Sequence, residues 1–304
     1  MTMKKRMFVF AALLICLAAC EKENLTYDNI VEGEESEVLN GPTKKFTFTV
    51  KGEFESATFQ ANSTMFRAPV YLSGDGSAMT DLWVFDFMNN KCVQSIHQVS
   101  TDENWGKPQM SLAYGTHHVY FVASRGDTPT LDDENHIIVW GIPKDTFWKD
   151  YGVEVVSTSN GNRAVTLDRV ATKLKISVMD EVPSTLGEIA VTPEKWYYGL
   201  DYKTGDAVSA QKKERTVTVP ESYYGTTGRL VANFFGISSA DEWTTNIQVE
   251  ARGTDGSVLG KASITGAPFK RNRSTEYSGN LFASGGGFDV SISEDWDNPV
   301  TGEW

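Results

Sequence analysis

Few residues in this chain have both the type and the spacing to do chemistry. His117 and His118 are neighbours in an apolar stretch, so on a strand their side chains point to opposite faces and cannot share one metal ion. His97 and His136 stand elsewhere, with no histidine pair at i, i+4 and no Cys-x-x-Cys to join them. The carboxylate run Asp132-Asp133-Glu134 lacks the ligand spacing of a calcium loop and reads as a solvated turn. Nor does the chain carry a Gly-x-Ser-x-Gly elbow, a phosphate-binding loop or a dinucleotide fingerprint. The expectation is a protein that is not an enzyme, with no catalytic residue, no metal and no cofactor.

Two other positions carry chemistry done to the chain. Lys4, Lys5 and Arg6 precede an apolar run from Met7 to Leu17, too short to span a bilayer, and Leu17-Ala18-Ala19-Cys20 follows with the leucine, small residues and cysteine that a lipoprotein signal peptidase requires. Residues 1–19 are therefore read as a signal peptide and Cys20 as the acylated first residue, with outer-membrane lipid as its partner. Each buried methylene contributes about 0.8 kcal/mol, so several acyl chains on one residue give firm attachment. The second position is Arg67 in ANSTMFRAPV: small and polar residues precede it, Ala68 suits the site after the cut, and Pro69 does not block a trypsin-like protease. An ordinary loop arginine is the alternative.

The elements that position these residues are strands. Phe46, Phe48 and Val50 alternate with Thr47 and Thr49; Leu174, Ile176 and Val178 alternate with lysines and serine; Val217 and Val219, Ile247 and Val249, and Phe288, Val290 and Ile292 repeat the period of two. Asp81-LWVFDF-Met88 and His118-VYFVA-Ser124 are apolar on both faces, as central strands are. Turn signals such as Asn89-Asn90, Asn160-Gly161 and Thr254-Asp-Gly256 separate them. Lys144 to Tyr151 is compatible with a short helix. The class is all-β, with a boundary near Asp168, where the more regular alternation of Arg169-VATKLKISVM begins: an N-terminal β-sandwich domain over 44–168 and a C-terminal one over 169–304. Residues 20–43 form a lipidated tether; seven acidic residues against one lysine between 21 and 42 leave too little apolar surface to fold.

A net charge of −12 argues against nucleic acid as a partner. After loss of Cys16 with the signal and acylation of Cys20, Cys92 has no mate for an internal disulfide, so the fold rests on core packing. Trp196-Tyr197-Tyr198 admits two readings. Exposed aromatics stack on sugar rings, which would make a glycan-binding surface lipoprotein; alternate aromatics on a strand also pack inward.

Taken in order, these features resemble the major fimbrillin superfamily of Bacteroidales, the FimA-type pilin lipoproteins. The resemblance rests on the lipobox and acidic leader, Lys45-FTFTV-Lys51 followed by Phe66-Arg67-Ala68, Tyr114-GTHHVYFVAS, Leu167-DRVATKLKISVMDEVP, Lys270-RNRSTEYSGNLF, Phe288-DVSISEDW and the final Trp304. It implies two transthyretin-like, Greek-key sandwiches and a structural subunit of a cell-surface fimbrium. It further implies export as a lipoprotein, then cleavage after Arg67 by a trypsin-like surface protease, which removes the first strand with Phe46, Phe48 and Val50. The vacated groove would accept a strand from another fimbrial subunit, in a homo- or hetero-polymer. The family's donor is C-terminal; here Phe288, Val290 and Ile292, within 285–304 and after Gly285-Gly286-Gly287, have the alternation, and could equally complete their own domain. Shaft, tip and basal anchor roles all remain open.

Overall fold

The computed structural model describes residues 41–52, 79–125, 129–283 and 288–293, with the backbone alone for 289–293. Among the described residues nine strands occupy the first half: β1 Thr43–Gly52, β2 Asp81–Met88, β3 Lys91–Val99, β4 Gln109–Ala113, β5 Gly115–Ser124, β6 Thr130–Asp132, β7 Ile137–Val139, β8 Thr146–Val155 and β9 Asn162–Arg169. Ten follow: β10 Ala171–Val178, β11 Leu186–Pro193, β12 Trp196–Asp201, β13 Ala207–Gln211, β14 Arg215–Thr218, β15 Arg229–Ile237, β16 Trp243–Gly253, β17 Val258–Phe269, β18 Ser274–Gly279 and β19 Phe288–Ser293. Among the described residues the only helical turn is a 3-10 turn at Glu221–Tyr223. The protein is all-β.

The first sheet runs β3-β2-β5-β8-β9-β1-β4. It bends between β8 and β9, which meet only at Phe147↔Arg169 and Trp148↔Asp168. The bend folds it into a sandwich, because one buried cluster draws on both sides: Phe46, Phe48, Met110, Leu112 and Val165 from one, Leu82, Val84, Phe121 and Phe147 from the other. The second half supplies two further sheets, β15-β10-β18-β19 and β14-β11-β16-β17, closed over a larger cluster that includes Leu174, Ile176, Ile189, Val249 and Tyr277.

A fourth sheet, β13-β12-β7-β6, pairs β7 with β12 across the 168/169 boundary read from the alternation. Its Ile138 and Leu200, with nearby Trp140 and Tyr202, cover Trp83, Phe85 and Tyr120 on the outer face of β2 and β5. This is why those two strands are apolar on both faces. The segment 144–151 departs from expectation: from Thr146 onward it is strand and not helix. Thr146–Val155 forms β8, laddered to β5 from Ser124↔Thr146 to Gly115↔Val155. A helix of two turns has little stability of its own to oppose such a ladder.

Candidate functional site

β1 is held on both sides by chain that follows it in sequence. Residues 43–47 pair antiparallel with β4, from Thr43↔Ala113 to Thr47↔Gln109. Residues 47–52 pair parallel with β9, from Thr47↔Asn162 to Gly52↔Leu167. Beyond the reach of β4, the Phe48 amide donates to the Pro108 carbonyl at 3.0 Å and the Val50 amide to the Gly106 carbonyl at 2.9 Å. The strand thus lies between β9 on one side and β4 with the Gly106–Pro108 loop on the other.

The side chains follow the alternation. Phe46 and Phe48 are fully buried and Val50 is nearly so. Phe48 meets Phe121 edge-on at 5.2 Å and Tyr151 at 6.0 Å, while the Arg163 guanidinium lies 5.2 Å over the Phe46 ring. Burying each large side chain contributes about 1.5–3 kcal/mol. The three together approach the whole stability of a typical domain, about 5–15 kcal/mol. An emptied slot would therefore need refilling.

The sequence singled out Phe46, Phe48 and Val50, but Gly161 was visible only as half of a turn signal. A Cβ at Gly161 would stand 2.3 Å from the Lys45 carbonyl oxygen, so β1 seats only because this residue has no side chain. Arg163 and the carbonyls of Gly106 and Pro108 carried no sequence signal, because they act through sheet register and loop position.

Cys20, Arg67 and Ala68 lie outside the described residues. β19 pairs antiparallel with β18, from Gly279↔Phe288 to Ser274↔Ser293, at the end of its sheet. Phe288 packs against the second cluster from a partly buried position. The aromatic run does not form a sugar platform. Trp196 and Tyr198 are 1% and 2% exposed and belong to the core; only Tyr197 is part-exposed, and Trp243 meets its ring edge-on at 5.0 Å.

His117 and His118 do face opposite ways: His117 is buried against Asp86, and His118 is exposed beside Asp150. Asp132 accepts from the backbone and side chain of Asn135 in an exposed turn, and hydrogen bonds from Asn135 hold its carboxyl below the usual range. Among the described residues no group of three His, Cys, Asp or Glu side chains is placed to hold a metal ion.

The profile of a family of unknown function, DUF6562, matches residues 142–303, more than half of the chain. No curated protein matches. A candidate adhesin from Bacteroides thetaiotaomicron superposes with a TM-score of 0.50 at 10% identity, covering 84% of this chain and 98% of its own. A fimbrial assembly protein from Parabacteroides distasonis gives 0.48 at 9%, over 83% and 99%. The tip fimbrial protein Mfa3 from Porphyromonas gingivalis, with C-terminal truncation, gives 0.43 at 14%, over 72% and 94%. At such identities the first likeness speaks for the fold alone.

Proposed function

The chain belongs to the DUF6562 family, and we propose that it is a non-enzymatic subunit of a cell-surface fimbrium, assembled by exchange of its first strand. One observation carries the reading: β1 is the first strand among the described residues, yet it fills an internal slot between β9 and β4. A cut in the chain that follows β1 would leave it attached by non-covalent contacts only. Its departure would bare an apolar trench and a row of unpaired backbone groups, a template for another strand. The resemblance to fimbrillins supplies the rest of the sequence of events. Cys20 carries the lipid, a trypsin-like protease cuts after Arg67, and a donor segment with the alternation of Phe288, Val290 and Ile292 fills the trench. That the B. thetaiotaomicron candidate adhesin shares the fold supports a place at the cell surface.

The test is the N-terminus of material sheared from producing cells. Chains beginning at Ala68, replaced by membrane-bound precursor in an Arg67→Ala strain, are the expected result. Sheared chains that all begin at acylated Cys20 would sink the exchange mechanism.

A further inference from the structure

His117 lies inside the first sandwich with both ring nitrogens facing acceptors. Nδ1 is 2.7 Å from Asp86 Oδ1 on β2, and Nε2 is 2.9 Å from the carbonyl of Ala113, the last residue of β4. Both side chains are 1% exposed. A carbonyl only accepts, so Nε2 carries a proton. A neutral ring would then turn its Nδ1 lone pair on Asp86, which is tolerable only if that carboxyl is itself protonated. Either way the pair holds one proton more than a neutral histidine beside an ionised aspartate.

The surroundings agree with that proton count. Burial opposes the imidazolium, but Asp86, the Ala113 carbonyl and then Glu154 on β8 outweigh it and hold His117 above the ordinary histidine value. Burial also raises Asp86, against the pull of His117. Cys92 on β3 is within electrostatic reach of Asp86. Beside His117 in the sheet stand the uncharged Met88 and Val153. On β1, the Lys44 ammonium is turned away to the Ser157 carbonyl at 2.8 Å.

The position of the pair gives it a task. Between Ala113 and Gly115 the chain passes from β4 in one layer to β5 in the facing one, through a single residue. Gly115 has φ +135°, and a Cβ there would lie 2.7 Å from Met88 Cε. We propose that His117 and Asp86, sharing one captive proton, are positioning residues that fasten this corner and so hold β4, one wall of the β1 slot. Loss of the proton leaves a buried carboxylate facing a lone pair, or a carbonyl facing one, and the wall loosens. The proton count stands on this geometry; its bearing on strand exchange rests on the proposed function.

An unfolded or opened chain releases the histidine proton at about pH 6.5. The closed pair keeps it longer, so the contribution is complete below about 6.5, and above that the equilibrium constant for closing falls roughly tenfold per pH unit until the pair itself deprotonates. The experiment uses the full chain in detergent, with ring-nitrogen NMR of His117 and hydrogen exchange of the amides of residues 43–52 between pH 6 and 9. We expect the His117 ring to titrate above about 6.5, and β1 protection, corrected for intrinsic exchange, to decline over that window. Asp86→Asn offers Nδ1 a donor without any extra proton, so in that variant the decline vanishes and alkaline protection is kept. A His117 titration below about 6.5, or wild-type protection that tracks intrinsic exchange alone, overturns the proposal. The NMR reading needs no variant to fold. Sheared chains that keep Cys20 would overturn strand exchange and leave the fastening intact.

Discussion

Gly161 stands directly over the backbone of Lys45: a Cβ built on it would fall 2.3 Å from the Lys45 carbonyl oxygen, and its own carbonyl accepts the Thr47 amide at 2.7 Å. The loop before β9 therefore clasps the middle of β1 through a residue without a side chain. Gly161→Ala forces β1 off its seat at a cost of about 1–3 kcal/mol, the usual range for overpacking. Hydrogen exchange of residues 43–52 should rise with the drop in thermal midpoint. Gly152→Ala is the control, since nothing lies within 4 Å of a Cβ there. Equal behaviour of the two variants would refute the clasp.

The slot's energy is concentrated on one face of β1. Phe48 is fully buried against Phe121 and Tyr151, whereas Thr49 lies on the other face and is half-buried. Phe48→Ala should cost about 3–5 kcal/mol in a urea titration, and Thr49→Ala about 1 or less. Comparable losses at both positions would mean that β1 is not held by its inward face.

Trp196 tests whether the aromatic run binds or supports. Its indole is buried edge-on to Phe269 at 4.9 Å, donates to the Phe235 carbonyl at 3.0 Å, and covers Gly236. That bond occupies a carbonyl on β15, an end strand of its sheet. Trp196→Ala should therefore lower stability by about 3–5 kcal/mol, and Tyr197→Ala by about 1. A Trp196→Ala protein with an unaltered melt and a lost affinity for glycans would reverse this assignment.

What could be read from the residues, and what could not, divides along physical lines. The alternation of Phe46, Phe48 and Val50, and of Leu174, Ile176 and Val178, told strand and inward face together, because the period of two is a property of the strand itself. The two-sided apolarity of β2 and β5 also told that something must cover them. It did not tell what: the cover comes from Ile138 on β7 and Leu200 on β12, which pair across a long stretch of chain. For the same reason 144–151 looked open to a helix, since its ladder partner β5 is remote in sequence. Trp196 and Tyr197 are equivalent as residue types; only the register of β12 decides which is buried. Gly161 matters through the closeness of Lys45, and closeness has no signature in composition.

The last prediction concerns the C-terminal strand. Asp180, in the turn after β10, accepts at Oδ1 from the Leu281 amide at 3.1 Å, and at Oδ2 from the Phe282 and Ala283 amides at 2.6 and 2.9 Å. Hydrogen bonds to a charged group contribute about 1.5–3 kcal/mol, so the clip pins the chain up to Ala283 without help from β19. Among the described residues β19 itself has one neighbour, β18, at the end of the sheet. A chain lacking residues 284–304 should accordingly stay folded, with a melt close to that of the full chain, while Asp180→Ala in that background should lower stability by about 2 kcal/mol or more and expose the amides of 281–283 to exchange. Under the proposed function the shortened chain is a soluble subunit that cannot polymerise. If it unfolds instead, β19 is part of its own domain's core, and the donor role of Phe288, Val290 and Ile292 falls.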